Sequence, residues 1–192
     1  MGIRAFLAVP VPDEVRRAIS DLTRGLGKKV PGARFVKPDQ VHLTLHFFES
    51  LDPGEVEAVR TAARAGAALA QPYEVSLSGL GVFPDERRPR VLWIGVREGA
   101  DETARLARLV GAELGSRGLP VESRPFRPHL TLARFREPDP RGVAAALAGG
   151  AGVSVPPFHA GTIVLFRSDL GPGGAVHTAI DESPLGSAGS HP

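Results

Sequence analysis

The chain has no cysteine. That excludes a disulfide framework, a thiolate nucleophile and any metal site built on sulfur. A thiol-free composition fits a reducing compartment, and a cytoplasmic protein is expected. Lysine is nearly missing too: Lys28, Lys29 and Lys37 are the only three among 23 basic residues, so twenty cations are arginine. No apolar run approaches the ~20 residues that span a bilayer, and the opening MGIRAFLAVPVPDE turns acidic too soon for a secretion signal. No membrane partner is expected. No G-x-G-x-x-G follows a strand, no Walker-type GK[ST] exists, and G-x-S-x-G is absent. The GPGG at 171–174 reads as a hairpin turn, not a phosphate loop.

What remains is an ordinary globular composition. At 192 residues, 42% hydrophobic and 23% charged, the chain suits one domain with a proper core. Net charge is only +2. The arginine excess accompanies abundant Ala, Gly and Pro, the pattern of a GC-rich genome. Locally it forms two clusters. Arg87, Arg88 and Arg90 have the look of a solvated loop, whereas Arg124, Arg127, Arg134 and Arg136 surround a repeated motif. Guanidinium groups suit bidentate phosphate contacts better than ammonium does.

Periodicity organises the rest. Ile3 to Val9 is a short apolar strand, and Val15, Ile19, Leu22 and Leu26 mark an amphipathic helix opened by Pro12. A brief extended piece is expected at 34–36. Asp52, Pro53 and Glu55 compose a capping signature for a second helix. YEVSLSGL and RVLWIGV read as strands, DETARLARLVGAELGSRG as a helix, 139–148 as a short Ala-rich helix, and HAGTIVLFRS and AVHTAI as two last strands. The expected fold is α+β, made of two similar lobes over residues 1–183, with a frayed tail at 184–192.

The informative element is doubled. HLTL stands at 42–45 and returns at 129–132. An internal repeat at that separation fits a duplicated half-domain, not a solenoid. On a strand His42 and Thr44 share one face while Leu43 and Leu45 share the other; His129 and Thr131 stand likewise against Leu130 and Leu132. Each copy thus fixes a polar pair on a rigid, core-anchored strand. Two such pairs across a cleft would set two imidazoles about one anion, roughly 5–8 Å apart on hydrogen-bond lengths. One can accept a proton while the other donates, and the threonine hydroxyls can hold the anion's oxygens. That is the equipment of metal-free in-line transfer at a phosphodiester.

His46 raises the alternative of a metal pair with His42. On a strand the two would be about 13 Å apart, too far to share an ion. No metal and no cofactor is expected, and His46 reads as a polar group at the cleft edge or an exposed one. His159 and His177 have no partner pattern and read as structural or solvated.

With RAFLAVPVP, FVKPDQVHLTLHFF, LSGLGVFPDERRPRVLWIGV and RPFRPHLTLARF on view, the chain resembles the two-histidine (2H) phosphoesterases, and among them the RNA 2′,3′-cyclic phosphodiesterases, also called LigT-like or 2′-5′ RNA ligases. The resemblance runs over nearly the whole chain. It implies a bilobal α+β fold, two pseudo-symmetric antiparallel sheets facing across a cleft with helices outside, and hydrolysis of RNA 2′,3′-cyclic phosphate ends to 2′-phosphates, with joining or cleavage of 2′-5′ linkages. It further implies His42 as proton donor, His129 as proton acceptor, and Thr44, Thr131 and Arg134 as phosphate ligands. The first motif departs from the family's usual basic residue and Phe-Leu-Gly, reading His46-Phe47-Phe48-Glu49. Phe48 is expected to stack a base, and Glu49 to place a carboxylate near the cleft mouth. A small-molecule cyclic nucleotide phosphodiesterase and a non-catalytic RNA-end binder are the alternatives. With no unexplained apolar helix face, a monomer is expected.

Overall fold

The computed structural model describes residues 2–122, 124–171 and 174–186. The chain runs β1 (Ile3–Pro10), α1 (Asp13–Gly27), β2 (Ala33–Phe35), a 3-10 turn (Pro38–Gln40), β3 (His42–Leu51), α2 (Pro53–Ala68) and β4 (Tyr73–Phe83). It continues through β5 (Val91–Val96), α3 (Ala100–Ser116), β6 (His129–Phe135), α4 (Pro140–Ala148), β7 (Ser154–Ala160), β8 (Thr162–Gly171) and β9 (Gly174–Pro184). Local chemistry sets the helix starts. The Glu55 amide donates to the Asp52 carboxylate at 2.8 Å while the Asp52 amide donates back to Glu55 at 2.7 Å, a complete capping box. Asp139 caps α4 by accepting from the Arg141 and Gly142 amides.

Two antiparallel sheets result, with strand orders β3-β1-β8-β9 and β2-β6-β5-β4-β7. A simple division into N- and C-terminal lobes does not describe them. The β4–β5 hairpin draws β4 into the second sheet, and the last two strands return to complete the first. The helices are exchanged in the same sense. α1 leaves the first sheet and packs on β7 and β2 of the second; α3 leaves the second and packs on β3 of the first, beside α2. This interleaving gives one continuous core, running through Leu7, Leu43, Val59, Leu77, Val110 and Leu130.

The C-terminal strand count differs from the expectation. HAGTIVLFRS is not one strand: His159 and Ala160 end β7, Gly161 interrupts, and Thr162 opens β8. The prolines at 156 and 157 hid β7 in the sequence. Both are accommodated because β7 is the outer strand of its sheet, where missing amide donors cost least. Gly171 and Gly174 pair across the β8–β9 hairpin, whose turn residues 172 and 173 lie outside the described residues. Of the expected tail, Pro184 closes β9 and Leu185 is buried with its amide bonded to the Gly161 carbonyl; residues 187–192 lie outside the described residues.

Candidate active site

The two motif strands are alike beyond their shared four letters. From His42 to Phe48 and from His129 to Phe135, burial follows one sequence: partly buried His, buried Leu, partly buried Thr, two buried residues in succession, one exposed residue, then a buried Phe. Two successive buried residues break the strict alternation of a strand. Strand pairing gives the cause. Against β1, Thr44 faces Ala8 but His46 faces Leu7; against β5, Thr131 faces Trp93 but Ala133 faces Leu92. Leu45 and Leu132 are therefore the extra residues of matching β-bulges. Past each bulge the faces exchange.

That exchange corrects two expectations. Phe48 does not reach the cleft: at 2% exposure it lies in the core, the counterpart of Phe135. Phe47 faces the cleft instead, 46% exposed, with the Arg4 guanidinium 4.5 Å above its ring. His46 is neither exposed nor at the cleft edge. The bulge turns it toward α3, where its Nε2–H donates to the Ala107 carbonyl at 2.8 Å and its ring lies against Gly111. Burial holds its pKa below the ordinary value. Glu49 is exposed and is not among the residues that line the cleft.

β3 and β6 meet where the sheets join, and beside them lies a cavity of about 420 Å³. His42 and Thr44 line it from β3, Thr131 and Arg134 from β6. Arg4, Arg34 and Lys37 add positive charge to its walls, so the space has the electrostatics of an anion site. His42 stacks on Phe6, with ring centroids 4.3 Å apart, and meets His177 edge-on at 5.5 Å. Its pKa falls to about 4, chiefly because burial disfavours the charged ring and secondarily because His177 stands beside it; a backbone hydrogen bond at Gln40 opposes the shift. At neutral pH that shift favours the uncharged ring.

His129 shares its face of β6 with Thr131, two residues on, but stands outside the lining of that cavity. Its ring is edge-on to Phe83 at 4.8 Å. Nδ1–H donates to the Arg127 carbonyl at 2.6 Å, which leaves Nε2 as an unprotonated acceptor in the neutral ring. Burial lowers its pKa and the nearby Arg134 lowers it further, against the hydrogen bond at Arg127.

Sequence reasoning missed His177. It sits on β9 opposite the buried Ser168, and both line the cavity. Gln40 reaches from the 3-10 turn to the Ala175 carbonyl and ties this hairpin beside His42. The His177 Nδ1 is buried and has no hydrogen-bond partner among the described residues. Nothing in AVHTAI repeats elsewhere in the chain, so only tertiary structure could place it there. His159, by contrast, is exposed on β7 and bonds the Glu74 carboxylate at 2.8 Å. Arg87 and Arg88 are exposed, their amides bonded to Asp85. Among the described residues no three histidine or carboxylate side chains gather as a metal site would require.

A cleft between two sheets, with paired His-x-Thr strands at their junction and arginines about them, defines the two-histidine phosphoesterase class. The chain belongs to the 2′-5′ RNA ligase superfamily, whose family model matches residues 11–171. It is 33% identical over 182 residues to the RNA 2′,3′-cyclic phosphodiesterase of Methanothermobacter thermautotrophicus, covering 94% of this chain and 98% of that one. A crystal structure from Thermus thermophilus superposes with a TM-score of 0.78 at 31% identity, over 98% of this chain and 100% of that one. E. coli LigT complexed with 3′-AMP superposes with a TM-score of 0.74 at 23% identity, over 96% of this chain and 99% of that one, a likeness of fold.

Proposed function

We propose that the protein hydrolyses RNA 2′,3′-cyclic phosphate ends to 2′-phosphates by a two-histidine acid/base mechanism that uses no metal. The observation that carries this reading is the joint lining of one cationic cavity by the His-x-Thr pair of β3 and by Thr131 and Arg134 of β6. In the proposed step His129 Nε2 takes a proton from water, the water oxygen bonds to phosphorus, and the P–O3′ bond breaks. His42 delivers a proton to the departing 3′ oxygen, leaving the phosphate on O2′. Thr44 and Thr131 donate hydrogen bonds to the non-bridging oxygens, and Arg134 neutralises their charge. With a 5′-hydroxyl in place of water, the same step forms a 2′-5′ phosphodiester, and its reverse cleaves that linkage back to the cyclic phosphate. Burial holds the His42 pKa at about 4, and the negative charge of a phosphate bound beside it favours the protonated ring that the step requires. The protein is proposed to act as a cytoplasmic monomer; among the described residues no helix is long and apolar enough to cross a membrane.

Two properties of the product test this. Digestion of an oligonucleotide ending in a 2′,3′-cyclic phosphate should yield only the 2′-phosphate; a 3′-phosphate product contradicts the assigned bond cleavage. A substrate whose leaving 3′ oxygen is replaced by sulfur separates the two histidines, since a thiolate departs without a proton. His42→Ala should recover most of its lost rate on it and His129→Ala should not; the opposite pattern reverses the acid and base assignments. Substrate bound with measurable affinity and left intact would make the protein an RNA-end binder.

A further inference from the structure

Beside the main cavity lies a second recess of about 260 Å³, lined by Gly32, Arg34, Arg134 and Arg136. Arg34 and Arg134 also line the main cavity, so the two spaces adjoin. We propose that this recess is a second phosphate site, holding the phosphodiester on the 5′ side of the terminal nucleotide while the cyclic phosphate occupies the main cavity. The proposal rests on the reading of the main cavity given above and extends it to the chain that precedes the reacting end.

The arrangement is costly without an anion. Arg34 and Arg134 are directly paired across the β2–β6 ladder, where opposed like charges destabilise. Arg136 follows two residues later at the strand's end. The guanidinium of Arg90 donates to the Arg136 carbonyl at 3.2 Å and adds a fourth cation nearby. Seven of the twenty arginines pair with carboxylates, Arg117 with Glu113, Arg124 with Glu122 and Arg167 with Asp169 among them. Among the described residues, no ion pair joins a carboxylate to Arg34, Arg134 or Arg136. Gly32, turned into β2 at a φ of 85°, has no atom within 4 Å of where its side chain would begin, and keeps the recess open. Three convergent guanidinium groups in a small open space match the oxygens of a phosphodiester.

The test compares kcat/KM of the wild-type enzyme and Arg136→Ala on three substrates: adenosine 2′,3′-cyclic phosphate, the same compound with a 5′-phosphate, and a dinucleotide ending in a cyclic phosphate. Arg136 lines only the second recess. The variant should lose about tenfold on the two substrates with a 5′ phosphate, the usual worth of a charged hydrogen bond, and nothing on the bare nucleoside. The salt dependence of log kcat/KM on the dinucleotide should become shallower by about one. Arg136→Gln should behave the same, and the melting temperature of both variants checks folding. An equal loss on all three substrates overturns the proposal, as does no loss on the dinucleotide. A loss on the dinucleotide but not on the 5′-phosphorylated mononucleotide assigns the recess to the second nucleoside and also overturns it. If the wild-type protein hydrolyses none of the three, the main-cavity reading fails by itself. Dissociation constants of a dinucleotide 3′-phosphate for wild type and Arg136→Ala then still decide the recess, on the same tenfold criterion.

Discussion

Phe47 and Phe48 are adjacent in the chain and opposite in role. Phe47→Ala removes an exposed ring from the cavity wall; KM for an oligonucleotide should rise several-fold, as for a lost stacking partner, with the melting temperature little changed. Phe48→Ala empties a core position and should cost about 3–5 kcal/mol of stability in denaturant titration. Comparable effects of the two on melting would contradict the bulge assignment. His42 carries a prediction in pH. Burial keeps it neutral in the free enzyme, and a bound phosphate anion opposes that shift. The basic limb of kcat should therefore lie at higher pH than that of kcat/KM, which steady-state profiles will read. Coincident limbs would mean that the substrate leaves His42 unchanged.

Elements were legible where a periodic pattern and a terminal signal agreed, as in α1 with its apolar spacing and α2 with its Asp52–Glu55 box. The bulges were harder to see. Strict alternation from His42 puts Phe48 on the cleft side, and one extra residue at Leu45 reverses that. The repeat itself held the correction: Phe48 and Phe135 stand at the same place after their histidines, and a residue shared by both copies and apolar in each is a core residue. β7 was hidden by its prolines for the reason that it is an edge. The α2–α3 contact supplies a further prediction. A Cβ on Gly66 would fall 2.8 Å from the Val110 Cα, too close for either backbone to remain in place. Gly66→Ala should destabilise by about 1–3 kcal/mol, measured by thermal or urea unfolding, and leave KM unchanged below the transition. Unaltered unfolding would show that the helices can separate freely.

At the scale of the whole molecule, the doubled motif announced a two-sheet architecture, but not how the chain is distributed between the sheets. The exchange of β2, β4, β8 and β9 depends on which strands pair across the chain, and periodicity does not carry that information. The exchange binds both sheets into one core, so the protein should unfold in a single transition that responds to acid. His42, His46, His129 and His177 all have pKa values lowered by burial in the folded state. As pH falls through 6.5 the unfolded chain takes up protons first, whereas folded His42 resists until about 4. Stability should thus be level above pH 6.5 and decline between 6.5 and 4, with His42 alone accounting for about 3 kcal/mol. Calorimetric melting across that range checks the sign, and a melting temperature that rises on acidification would contradict it.

Two histidines from separate sheets acting on a single phosphorus is the claim on which the rest depends. Its most direct measurement is the rate of hydrolysis of a 2′,3′-cyclic-phosphate oligonucleotide, in excess chelator, by the wild-type protein, His42→Ala and His129→Ala. Undiminished wild-type activity with each variant slower by about 10²–10⁴-fold is the expected result. Full activity in either variant, or wild-type activity abolished by the chelator, would contradict it.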